Sequence, residues 1–286
     1  ISSTTTVPWF QGIPLGSFPK INGGKFKNHG YEISANIVKE FSNGFGFTLG
    51  GYLTYTKNKV IYSGETPLDE DYAYRYRTQG YPLGTSWGLL VDKSNGNGYF
   101  NFQSEIDNGP KYEFGTPRVG DLKYQDLNKD GVINDKDMAP ITNGNIPQYL
   151  YGISGQLKYK NFDLNFVFNG TGNYNSVFSG MGIYETDYDG VFGSIPKNAW
   201  TQERWNNDEK ITYPALSAKT STNHRASDFF VQNRKYFKLK SLELGYTLPT
   251  GTLKGLGISK LLVVLQGQNL FTIDHLKSDD FGPESN

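Results

Sequence analysis

Between Asp126 and Asp137 the chain reads Asp-Leu-Asn-Lys-Asp-Gly-Val-Ile-Asn-Asp-Lys-Asp. Oxygen-bearing side chains fall at loop positions 1, 3, 5, 9 and 12, with a glycine at position 6, the spacing with which a twelve-residue loop wraps a calcium ion. Ca²⁺ is a hard cation that takes about six to eight oxygens, and alternate residues of a curling loop aim their side chains at one centre. The spacing predicts a structural Ca²⁺ held by the side chains of Asp126, Asn128, Asp130 and Asp137 and by the carbonyl of Val132. Gly131 permits the sharp turn, and Asn134 acts through a water or not at all. The closing position usually carries Glu; Asp137 is one methylene shorter, which suits a monodentate contact. No helix-forming run flanks the loop, which argues against a helix–loop–helix calcium sensor. The competing reading of the same residues is a solvated Asp/Asn turn.

Elsewhere the chemistry is sparse. The chain has no cysteine and three histidines, His29, His224 and His275, no two of them close in sequence. Disulfides and thiol catalysis are thereby excluded, and a zinc site would have to rely on carboxylates. No nucleophile elbow, phosphate loop or His-centred constellation is present, so no catalytic residue is assigned and a non-enzyme is expected. Basic and acidic residues number 28 each, leaving no net positive field for nucleic acid. That balance also argues against base stacking by the Tyr- and Arg-rich run at 72–81. Between residues 176 and 230, Tyr184, Tyr188, Trp200 and Trp205 are mixed with Arg204 and several carboxylates. Such faces suit stacking on sugar rings or anchoring a protein partner, and they equally suit packing a long loop upon itself.

The elements that must carry these residues are strands. Aromatic residues make up 15 % of the chain beside 34 glycines, a balance that favours strands and turns over helices. Residues 31–38 and 45–55 alternate apolar and polar side chains, joined through Phe41-Ser42-Asn43-Gly44, whose Asn-Gly pair favours a hairpin. Residues 149–159 and 162–169 repeat the pattern across Lys160-Asn161. A third pair runs from about 235 to 248 and from 260 to 273. In its first strand the apolar phase slips from Phe237/Leu239 to Leu242/Leu244/Tyr246/Leu248, as a β-bulge would leave it.

Connections within these pairs are short or modest, whereas about 62–147 and 171–234 between them are very long. Compact soluble domains rarely carry such connections, while outer-membrane barrels join short turns on one side to long loops on the other. Aromatic residues at strand ends (Tyr55, Tyr149, Tyr151, Tyr159, Tyr246, Phe271) match interfacial girdles. The mean hydropathy of −0.54 is compatible with such a wall, because its strands alternate. The alternative is a secreted carbohydrate-binding β-sandwich with a calcium-stabilised loop.

Several segments resemble the C-terminal barrel of SusC/RagA-type TonB-dependent outer-membrane transporters. They are Gly24-Lys25-Phe26-Lys27-Asn28-His29-Gly30-Tyr31-Glu32-Ile33, the run from Gly120 through Asp126 to Ile133, Ile146-Pro147-Gln148-Tyr149-Leu150-Tyr151-Gly152 followed by Tyr159-Lys160-Asn161-Phe162-Asp163-Leu164, Ser227-Asp228-Phe229-Phe230 leading to the 236–249 stretch, and Gly267-Gln268-Asn269-Leu270-Phe271-Thr272. They fall in the family's order over most of the chain. The resemblance implies an all-β fold: a partial antiparallel transmembrane barrel, one domain over 1–286, cut from a barrel of about 22 strands. It also implies a plug, a TonB-contacting segment and a last strand that this sequence does not contain. A SusD-like surface lipoprotein lid, TonB-driven import of an oligosaccharide or peptide as nutrient, and contact with outer-membrane lipid are further implications. Polar strand residues Ser34, Asn36, Gln156, Asp163, Asn165, Gln266 and Gln268 would then face the lumen.

Overall fold

The computed structural model describes residues 23–65, 77–180, 182–185, 195–219, 221–253, 255 and 257–284. Six long strands dominate: β1 (Lys25–Glu40), β2 (Phe45–Tyr62), β7 (Tyr149–Tyr159), β8 (Phe162–Gly172), β10 (Val231–Thr247) and β11 (Leu262–His275). They form one antiparallel sheet in the order β1-β2-β7-β8-β10-β11, with the short β9 (Asn175–Val177) added to β10. The other short strands are β3 (Trp87–Gly88), β4 (Lys111–Tyr112), β5 (Val132–Ile133) and β6 (Ala139–Pro140). The α-helices are brief: α1 (Gln103–Asp107), α2 (Gln202–Asn206) and α3 (Thr250–Leu253). No helix among the described residues is long and apolar enough to cross a membrane, which leaves crossing by strands open.

The turns that make the sheet were written in the chain. At the first hairpin Gly44 takes a φ of 82°, and the Phe45 N–H donates to Asn43 Oδ1 at 3.0 Å. Between β7 and β8 only Lys160 and Asn161 intervene, with Lys160 at a φ of 54°. The third connection carries α3.

Register then sorts the side chains. Ile37 lies opposite Leu49, Gly51 opposite Ile153, Leu157 opposite Leu164, and Leu164 opposite Leu244, which in turn faces Leu265. One face of the sheet is therefore apolar from β1 to β11. The opposite face carries Ser34, Asn36, Gln156, Asp163, Asn165, Gln266 and Gln268, as the alternation predicted. Where the apolar row thins to Gly155, the Phe166 ring of the partner strand lies so close that a Cβ would stand 2.1 Å from its Cζ. Ring and glycine fit as one unit.

Aromatic residues bound this face at both ends. Tyr31, Tyr55 and Tyr149 form one row, with ring centroids 5.3 and 4.9 Å apart. Phe45, Tyr159, Phe162 and Tyr246 are in register at the turn end, and the last two rings are 4.6 Å apart. The 11 residues from Tyr149 to Tyr159 span about 33 Å of strand. At the ~45° tilt of a barrel wall that is about 24 Å of height, the thickness of an outer-membrane apolar band. Within it Leu265 is 74 % exposed, and no described residue covers this face there.

The predicted phase slip is real. Pairing of β10 with both β8 and β11 shifts register between Leu239 and Ser241: Lys240 is the extra residue against β8, while against β11 the two residues Asn269 and Leu270 face Lys240. Without it, Phe237 and Leu239 would turn to the polar face while Leu242, Leu244 and Tyr246 stayed outside.

The structure departs from the sequence reading in the long connections. They are not loose. Among the described residues, the hydrophobic core lies in these segments: Leu89, Val91, Tyr99, Phe100, Tyr112, Leu122, Tyr124, Ile133, Ile183, Tyr184, Ala199, Trp200, Tyr213 and Phe230 form one buried cluster. Both connections lie at the sheet end opposite the short turns and fold into one module, joined by a parallel bridge between Leu89 and Ser227.

Deleting Lys240 from the full-length protein should abolish outer-membrane assembly, read as loss of the folded, heat-shifted band on a gel. Normal assembly of the deletion would show that the bulge does not set the two faces.

Candidate functional site

The module is clasped by buried polar groups from both long connections. Asp121 and Asn223 are almost fully buried, and Asn223 Nδ2 donates to Asp121 Oδ1 at 3.0 Å. Asn223 Oδ1 accepts the Leu122 N–H at 2.8 Å, while Asp121 Oδ2 accepts the Arg118 N–H at 2.8 Å. Gly120, at a φ of 91°, lets the chain pass beneath the Trp200 ring, where a Cβ would sit 2.4 Å from Cε3. Tyr112 Oη accepts from the Tyr124 N–H at 2.8 Å and donates to the Leu122 carbonyl at 3.2 Å. The Gly120-to-Tyr124 stretch is thus the spine of the module.

Directly after it comes the acidic turn. Asp126 Oδ2 accepts the Gly131 N–H at 2.8 Å, and Asp130 Oδ1 accepts the Val132 N–H at 2.8 Å. Asn128 Nδ2 donates to Asp130 Oδ2 at 2.9 Å. Lys129 and Gly131, at φ 62° and 83°, supply the left-handed positions that curl the chain. Asp137 is fully buried and ties the turn's ends together, accepting from Leu127 N–H at 2.8 Å and Asn134 N–H at 2.9 Å. Burial raises its carboxyl pKa, the three backbone N–H donors oppose that, and the negative charge of Asp126 adds to the rise. Asn134 Oδ1 is engaged in capping the Lys136 N–H.

Do these residues fit a cation? Among the described residues no three acidic or imidazole groups converge as a metal cluster, so the turn is not a closed cage. Yet Asp126 Oδ1 is buried without any hydrogen-bond partner. A buried carboxylate oxygen without a donor is costly, and the donor set around it is all oxygen. The residues fit a hard cation in donor type and chain path.

The aromatic candidates divide. Tyr184 and Trp200 lie in the module's core. Trp205 is half-buried on α2, its ring edge-on to Phe102 at 6.3 Å, and Phe102 is exposed. Beside them Arg204 donates to the Ala199 carbonyl at 2.9 Å and lies 3.7 Å from Glu209. Tyr188 and residues 72–76 of the Tyr/Arg run lie outside the described residues. A cavity of about 430 Å³ opens nearby over Phe229 and Phe230, with Lys197, Lys210 and Lys277 in its lining and, among the described residues, no carboxylate. That lining suits an anionic group.

Sequence reasoning missed one cluster. His224 Nε2 lies 2.9 Å from Glu185 Oε2, which also accepts from Tyr213 Oη at 2.9 Å, and Tyr184 stacks on the imidazole at 4.9 Å. Burial raises the Glu185 carboxyl, but the His224 and Tyr213 hydrogen bonds outweigh it and leave it below the usual carboxylate range. His224 Nδ1 accepts the Ser221 N–H at 3.2 Å, so both ring nitrogens serve the fold rather than a nucleophile. The partners are 39 residues apart, with no motif to join them.

Asn223→Ala should destabilise the module by about 2–3 kcal/mol, because it leaves the Asp121 carboxylate buried without its main partner. Limited proteolysis of the connections in a correctly inserted protein would show this as accelerated cleavage; unchanged resistance would refute the clasp.

No family model matches the chain. It is 26 % identical over 277 residues to TonB-dependent receptor P3 of Formosa agariphila, covering 93 % of this chain and 26 % of that protein. It is 25 % identical over 270 residues to TonB-dependent receptor SusC of Bacteroides thetaiotaomicron, covering 91 % and 24 %. The chain thus spans about a quarter of the length of the curated relatives it matches. Among solved structures, the RagAB peptide transporter superposes with a TM-score of 0.66 at 16 % identity over 99 % of this chain and 29 % of the other. The RagAB peptide importer in its open-open state gives 0.66 at 17 % identity, covering 100 % and 29 %. In sequence over nine tenths of its length, and in fold throughout, the chain resembles the SusC/RagA type of TonB-dependent outer-membrane transporter.

Proposed function

We propose that this chain forms part of the wall and the folded outer loops of a TonB-dependent transporter. The observation that carries the reading is the register: six strands share one apolar outer face and one polar inner face, with a packed module at the long-loop end only. The location is the outer membrane. Residues 1–286 belong to one barrel domain, and a plug and TonB contact complete it elsewhere in the protein. The cargo is an oligosaccharide or peptide, taken up as a nutrient beneath a SusD-like surface lipoprotein; the relatives' names, one a SusC and one a peptide importer working as an A–B pair, support this. The role is transport, not catalysis. A carbohydrate-binding sandwich would have to cover the outer apolar face with a second sheet.

Loops on a rigid scaffold carry contacts that the lipid-bound wall does not. In this module the aromatic pair of exposed Phe102 and half-buried Trp205, with Arg204 beside it, is the surface for lid or cargo; Tyr184 acts from the core, and Tyr188 lies in the same connection. The double variant Phe102→Ala/Trp205→Ala should weaken lid association by roughly thirtyfold or more, the scale of an interface anchor. Outer-membrane level should stay unchanged. Undiminished association and uptake would remove this surface from the reading, and recovery of the whole protein in the soluble fraction would remove the barrel itself.

We further propose that the acidic turn binds Ca²⁺ for structure, through Asp126, Asn128, Asp130, Asp137 and the Val132 carbonyl. The unpartnered Asp126 Oδ1 supports this. The ion would neutralise three carboxylates that otherwise repel one another, and Mg²⁺, which keeps its waters in a tighter octahedron, suits the turn less. Chelation should speed proteolysis within 126–137 by roughly tenfold or more without unfolding the wall, and Asp130→Ala should do so in saturating calcium. Identical cleavage with and without millimolar Ca²⁺ would defeat the assignment.

A further inference from the structure

Just beyond the Tyr31/Tyr55/Tyr149 row, the wall carries an unbalanced cluster of cations. Lys27 lies directly opposite Lys59, and His29 directly opposite Lys57. Like charges directly opposed across strands are unfavourable, so the Lys27–Lys59 pair needs compensation from outside the two strands. Strand alternation places all four on the face that carries Tyr31 and Tyr55. The intervening Asn28 and Thr56 hydrogen-bond on the other face, at 2.8 Å. All four basic residues are exposed, and among the described residues none makes an ion pair. They line a concavity of about 560 Å³ together with amide side chains such as Asn143 and Gln148, and no carboxylate among the described residues contributes to it.

Depth decides what could lie there. The pairs stand two and four residues past the tyrosine row, about 7 and 13 Å along the strand, and less in height because a wall strand tilts. The tyrosine row marks the apolar–polar boundary, so the cations sit at headgroup level on the lipid side, not in the lumen. Basic side chains at that depth attract anionic headgroups. We propose that Lys27, His29, Lys57 and Lys59 form a binding site for the phosphate of an anionic lipid in the outer leaflet. The amides of Asn143 and Gln148 offer further donors to the phosphate oxygens. The proposal rests on the barrel-wall reading.

The test uses the full-length protein reconstituted into phosphatidylcholine nanodiscs doped with phosphatidic acid or with diacylglycerol of the same chains. After extraction, native mass spectrometry counts the retained lipids. Phosphatidic acid should be kept in preference to diacylglycerol, and K27Q/K57Q/K59Q should lower its retention by at least about tenfold. Equal retention by the folded triple variant overturns the site and leaves the wall reading standing. Failure of the unsubstituted protein to enter nanodiscs overturns both. Should the triple variant misfold, a salt series on the unsubstituted protein decides: retention must fall as NaCl rises from about 50 to about 500 mM, and retention indifferent to salt overturns the proposal.

Discussion

At membrane depth every backbone N–H and C=O must be paired, and every side chain turned to lipid must be apolar. The rest of this structure follows from meeting both demands together. Antiparallel pairing satisfies the first; strict register satisfies the second, because a slip of one residue would exchange the two faces of a strand. The chain keeps register with two very short turns and, within the band between the aromatic rows, with the bulge at Lys240; further shifts lie near the strand ends, at Lys25/Phe26 and Asn233/Tyr236. A sequence whose apolar phase slips still presents one continuous outer face.

That constraint also explains where the core went. A wall one sheet thick has no interior of its own, and on the proposed reading its outer face is stabilised by lipid. Large side chains that must be hidden from water are instead collected in the module at the long-loop end, around Leu122, Tyr124, Tyr213 and their neighbours. Such a module cannot rely on ladder hydrogen bonds, because its strands are two residues long. It relies on buried side-chain clasps, of which Asp121 with Asn223 spans 102 residues of sequence. Removing one partner of such a clasp costs more than the hydrogen bond itself, because the other stays buried with fewer donors, here those of Arg118 and Thr222.

What was legible in the sequence divides along the same line. Strand positions, both faces and the bulge could be read from period-two patterning, since each depends on residues a few places apart. The aromatic rows were legible for the same reason. The folding of the long connections was not, because Asp121 and Asn223, or Glu185 and His224, carry no local signature of their pairing. Nor could composition separate Trp200, which lies in the core, from Trp205, which lies at the surface; both sit among the same polar neighbours in sequence. One signal was available and undervalued. Gly120-Asp121-Leu122-Lys123-Tyr124 alternates like a strand but opens on a glycine and an acid, as a buried clasp requires.

The acidic turn joins these two levels. β5 lies within it, where Ile133 is fully buried and pairs with Tyr112 on β4. Tyr112 in turn holds the backbone at Leu122 and Tyr124, the spine to which Asn223 is clasped. Any change in how the turn is closed therefore reaches the contact between the two long connections through three hydrogen-bonded steps, all within the core. A cation in the turn would act on the stiffness of the whole module rather than on a surface loop alone. The wall would not feel it, because no ladder of the sheet passes through that region. Stiffness of the outer loops and integrity of the wall are thus set by separate interactions.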